Sequence, residues 1–269
     1  MVGKLIKNEF KAGLHSIAPI YVAAVAAVGF MALALAFKIA WLTAISLVAV
    51  IVIALGILIV TLISVVSNFN KTLFRDQGYL SFTLPVTSGQ LLFAKALSSF
   101  VWILLSYIAV IGIFAGIFLY SSDMVGEENI AMIKILVSTV AEIPDMGAVI
   151  KVVTFICVRI FLKIVCLIAQ IYFAISLSNV RPFQKMGFFS TILIFMGTFA
   201  TTSTISTLLK AYVPLSLKIT LEGAELLFEP MYNSSGIVFG FSDVIFMAIA
   251  SAFFFFMTSW FMNHKINLK

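Results

Sequence analysis

Six long apolar runs constrain this chain more than any motif in it. They cover roughly residues 17–37, 41–66, 96–120, 152–178, 186–209 and 237–262. A hydrocarbon core about 30 Å thick needs about 20 residues of helix, because backbone N–H and C=O groups find no water there. Each run is long enough to cross. The charge content agrees: 10% of positions are charged and 62% hydrophobic, with a mean hydropathy of +1.18, whereas soluble domains carry about 25% charge. The expected fold is an all-α integral membrane protein with six transmembrane helices, one polytopic domain over residues 1–269. That length leaves no room for a large soluble module.

The segments between and around the runs refine this picture. Residues 1–15 are amphipathic, with Leu5, Ile6, Phe10 and Leu14 on one face and Lys4, Lys7 and Lys11 on another. This predicts an N-terminal interfacial helix lying along the cytoplasmic leaflet. A secretory signal is the competing reading, but the 17–37 run is longer than a signal core. Lys38 makes a short turn, and Trp41 fits an interfacial aromatic anchor. Residues 121–150 are acidic and mixed, with an amphipathic stretch over Asn129–Ile143 that Pro144 ends. The loop 210–236 follows the fifth run, and its middle, 215–228, is open to reading as a re-entrant helix.

Three charges fall inside spans. Arg159 and Lys163 lie in the fourth run, where they can snorkel to the outer interface or line a polar pathway. Asp243 lies about six residues into the sixth run. A lone carboxylate there is costly, so Arg159, Lys163 and Asp243 form a candidate intramembrane charge pair across helices. The hydroxyls of the fifth run, from Thr198 to Thr207, suit helix packing and bonding to backbone carbonyls.

Ten of the 17 basic residues fall in the segments that would be cytoplasmic if both termini are inside, and eight of the 11 acids fall outside. Short inner turns rich in Lys and Arg give that orientation. The expected location is the cell membrane, multi-pass, with both termini cytoplasmic. The net charge of +6 fits this asymmetry and anionic lipid rather than nucleic acid. Cys157 and Cys166 are nine positions apart in one apolar run and cannot pair if it is helical; both read as buried thiols. His15 and His264 lack ligand-like neighbours, so neither a metal nor a cofactor is expected. No Walker A sequence, HExxH or converging Ser/His/Asp set occurs, and the chain is not expected to be an enzyme. The spans also lack the acidic or histidine relays of ion-coupled transport, so energy for any transport would arrive from another protein.

The longest polar interruption between apolar runs is Phe74–Lys95, FRDQGYLSFTLPVTSGQLLFAK. Gly78 suits a helix C-terminus. Tyr79 to Leu84 then alternates, with Leu80, Phe82 and Leu84 on one side, and Pro85 stops the extension. Thr87-Ser88-Gly89-Gln90 has the form of a capping box, so a new helix should start there and pass through Lys95 into the third span. The pattern Gly78-Tyr79-Leu80, Thr83-Leu84-Pro85-Val86 and then Lys95 resembles permease subunits of the ABC-2 type, in a bacterial, Gram-positive-like branch. That branch often carries two acids before the glycine; here Asp76 and Gln77 stand there, so one is missing.

The resemblance implies that the 74–95 loop joins spans two and three on the cytoplasmic side and couples them to a separate ABC ATPase. Its contact residues would be Arg75, Asp76, Gly78, Tyr79, Leu80, Phe82, Leu84, Pro85 and Thr87. It further implies a second permease subunit, identical or related, and export of an unknown substrate. ATP hydrolysis would belong to the partner subunit alone. The alternative is a polytopic membrane protein without transport, such as a scaffold, a regulator or an unfamiliar membrane enzyme.

Overall fold

The computed structural model describes residues 2–74, 87–124, 146–213, 216–220, 223–227 and 237–264. They divide into two compact units, residues 2–124 and residues 146–264.

The first unit holds α1 (Val2–Ala36), α2 (Ala40–Phe74) and α3 (Ser88–Met124), each packed on the other two. The helix expected over residues 1–15 is the first part of α1, and no break separates it from the span. Nothing in that stretch stops a helix. Pro19 lies further on and exposed, where it removes only one backbone donor. Lys4, Lys7 and Lys11 are exposed, and Leu5, Ile6 and Phe10 are half-buried, while Leu14 is exposed. Lys38 ends α1 by taking a left-handed conformation, φ 54°, with its amide on the Leu35 carbonyl at 3.0 Å. Ala24 and Ala54 let the helices approach closely, and with Ile57 and Val110 they form the core of the crossing.

The second unit holds α4 (Met146–Ser178), a single turn α5 (Arg181–Gln184), α6 (Phe188–Tyr212) and α7 (Ser242–His264). Helix α4 is central. Of its apolar window, 56% is buried, against 6% for α6. It packs on α7 through Cys166, Ala169, Ala250 and Phe254, with Phe173 and Phe254 ring centroids 5.2 Å apart. Helix α4 ends where the Asn179 amide and side chain both bond the Ile175 carbonyl, at 3.3 and 2.8 Å. Gly187, with φ 58°, turns the chain into α6. Cys166 is buried as expected but Cys157 is exposed, because it lies on a different face of α4.

Between α6 and α7 lies a feature not expected from an all-α chain. Strands β1 (Ser216–Thr220), β2 (Gly223–Leu227) and β3 (Ile237–Gly240) form an antiparallel sheet in the order β2-β1-β3. Ser216 pairs with both Leu227 and Gly240. The re-entrant helix considered for 215–228 is therefore a hairpin. Its first strand, Ser-Leu-Lys-Ile-Thr, alternates with period two, which suits a pleated strand. The sixth helix correspondingly starts at Ser242 rather than at 237. Asp243 thus stands in its first turn, not six residues along it.

Candidate functional site

Helix α3 starts at the capping box. The Thr87 hydroxyl accepts the Gln90 amide and the Gln90 side chain accepts the Thr87 amide, both at 3.3 Å. Each bond satisfies a donor that a helix start would leave free. The other residues assigned to the coupling loop, Arg75, Asp76, Gly78, Tyr79, Leu80, Phe82, Leu84 and Pro85, lie outside the described residues.

Two turns into α3 the Lys95 ammonium meets the Glu9 carboxylate of α1, Nζ to Oε1 at 2.5 Å. Asn68 of α2 donates to the other oxygen, Oε2, at 3.1 Å. Lys95 is 3% exposed and Glu9 11%. One carboxylate thus ties all three helices of the unit together at the end where α3 begins. Sequence reading did not single out Glu9. The signal was present, since it is the only acid before Asp76. Just beyond, Phe10 lies against Trp102 with centroids 5.9 Å apart. Gly13 lies directly under the indole, where a side chain would collide: a Cβ there would be 2.9 Å from Trp102 Cδ1. Deeper still, Ser106 of α3 bonds Tyr21 of α1 at 2.8 Å and Thr61 of α2 at 2.7 Å, while donating to the Trp102 carbonyl. These hydroxyls satisfy one another across three helices in an otherwise apolar interior.

In the second unit Asp243 is fully buried. Its Oδ1 accepts the Ser206 hydroxyl of α6. Its Oδ2 lies 3.5 Å from Arg159 Nη2 of α4 and 3.0 Å from Lys210 Nζ of α6. Neither approach is aligned as a hydrogen bond, so both contacts are ionic. Lys163, the other cation considered for this carboxylate, is exposed and has no ion pair among the described residues. Lys210 occupies the place it was considered for. Sequence reading had put Lys210 in the loop, because the fifth apolar run stops at Leu209. The helix continues to Tyr212 and carries Lys210 inward. Gly240 in β3 makes room for it, since a Cβ there would be 2.9 Å from Lys210 Cγ.

Among the described residues no group of three His, Cys, Asp or Glu side chains could hold a metal ion. By length and apolarity, the six helices α1, α2, α3, α4, α6 and α7 make this a multi-pass membrane protein. The chain matches no family model, no curated protein and no solved structure.

Proposed function

We propose that the chain is the membrane-spanning permease subunit of an ATP-binding cassette exporter, driven by a separate ATPase through the 74–95 loop. The sequence resemblance of that loop to ABC-2 permeases motivates the reading. The observation that carries it is the construction of α3. A capping box at Thr87 starts a helix of 37 residues immediately after the loop, and the helix runs unbroken through the third span. The Lys95–Glu9 pair then ties that helix to α1 close to its start. Force that reaches the start of α3 is therefore passed on to two spans. A mere connecting turn has no need of this.

In the working assembly two permease subunits meet two ATPases in the cell membrane, with both termini and the loop on the cytoplasmic side. The ATP chemistry belongs to the partner. Purified alone, the chain should hydrolyse no ATP, and tagged protein drawn from its native membrane should bring an ABC ATPase with it. Tyr79→Ala and Leu80→Ala should keep membrane insertion but lose transport and ATPase co-purification, because apolar and aromatic anchors dominate such contacts. Full activity in both variants, or failure of any ATPase to co-purify, would overturn the reading.

A further inference from the structure

The Asp243 cluster does not balance. Among the described residues one carboxylate faces two cations, which leaves that group with one excess positive charge. The carboxylate is enclosed completely, and one of its oxygens is occupied by Ser206. The cations are not enclosed: Arg159 is 31% and Lys210 26% exposed. Their contacts with Oδ2 are ionic, and neither is a hydrogen bond to that oxygen. A guanidinium has five N–H donors and an ammonium three. Those on the exposed part of each side chain can take a further acceptor.

The position is also built rather than accidental. The stem of Lys210 lies against Gly240 of β3, where no side chain intervenes. Ser242 fastens the start of α7 to α6 by donating to the Leu209 carbonyl at 3.1 Å. Together these hold Arg159 and Lys210 on the same carboxylate oxygen, and hence beside each other. Two like charges so placed, with only one countercharge, favour an anion that can take donors from both.

We propose that Arg159 and Lys210, held over the buried Asp243 carboxylate, form a binding site for a phosphate-type anion. The phosphate comes from an anionic lipid headgroup or from inorganic phosphate in solution. Arg159 supplies a planar pair of donors and Lys210 a point charge, while Asp243 fixes the spacing and limits the affinity. The site does not depend on the chain being a permease.

The test uses the purified full chain in phosphatidylcholine nanodiscs, with phosphatidylglycerol in one arm and inorganic phosphate in another. Native mass spectrometry reads bound lipid, and thermal unfolding reads stabilisation by either anion. Retained phosphatidylglycerol that phosphate does not displace assigns the lipid; stabilisation by phosphate in pure phosphatidylcholine assigns the free ion. Lys210→Gln leaves one cation for one carboxylate and should weaken binding about tenfold or more. Arg159→Gln gives the same neutral cluster and makes the same comparison if Lys210→Gln does not insert. Asp243→Asn should strengthen binding, because it releases both cations; a purely structural ion pair would show no such gain. Lys163→Gln should change little. No preference for either anion, unchanged binding in the neutral clusters, or an equal loss with Lys163→Gln would overturn the proposal.

Discussion

Among the described residues each unit holds one carboxylate between three helices, and the two differ in where the cations stand. Around Glu9 the single cation, Lys95, is sealed from water and an amide completes the set. Around Asp243 the carboxylate is sealed, and its two cations reach the surface. The first arrangement is neutral and closed. The second, among the described residues, has an excess cation and is partly exposed. In a low-dielectric interior a sealed pair depends on both partners, since either one alone is a buried, uncompensated charge. Surface-reaching cations tolerate the loss of their partner, because they can turn to the interface. The Glu9 cluster is accordingly suited to holding helices together, and the Asp243 cluster to meeting something from outside.

The contrast is broken most directly by removing each carboxylate. Glu9→Ala strands the Lys95 ammonium and should cost about 3–5 kcal/mol, read as a fall in the thermal midpoint of the purified chain. Asp243→Asn should cost clearly less, because Arg159 and Lys210 regain water. If the two variants lose equally, burial of the cation is not what separates the clusters.

The glycines beside each cluster give a second, smaller comparison. Gly13→Ala forces a methyl into a rigid indole held by Phe10, and overpacking of this kind costs about 1–3 kcal/mol. Gly240→Ala meets the flexible Lys210 stem, which can swing aside, and should cost less in stability. It should nonetheless alter the spacing of Lys210 from Asp243. The same melting experiment ranks them, and the reverse order would show that the indole yields more readily than the lysine stem. Smallest of all, Thr87→Ala removes one of the two capping bonds at the start of α3 and should cost about 1 kcal/mol. Hydrogen exchange confined to the first turn of α3 is the sensitive readout; protection unchanged there would mean that Gln90 caps the helix alone.

Much of the fold was legible because the bilayer imposes it. Six apolar runs became six helices, and the Lys38 turn and the capping box at Thr87 were visible in short stretches of sequence. What escaped depended on pairing at a distance. Glu9 looked like one polar residue on an amphipathic face, and Lys95 like a basic residue at an interface. Their partnership spans 86 positions and follows only once α1 and α3 pack. Lys210 was hidden by a helix end three residues later than hydropathy marks it. The stretch 215–228 stayed open in the sequence because its apolar content competed with its alternation, and pairing with β3 decides the matter. Arg159 and Asp243 were conspicuous by contrast, since charges within apolar runs demand partners.

The placement of Asp243 also bears on how the chain is made. Arg159 and Lys210 leave the ribosome before it, and at about 5–20 residues per second Arg159 waits on the order of several seconds for its countercharge. An unpaired Arg opposes insertion by about 2.5–3.5 kcal/mol at a helix centre, and by less at the position of Arg159, near one end of its span. During that interval the fourth helix must stay in the bilayer by reaching for the interface, and its seating is provisional. Only when the first turn of α7 arrives does the carboxylate lock α4 and α6 at once. Helix α7, made after α4 and α6, is therefore the one that commits the second unit to its final arrangement.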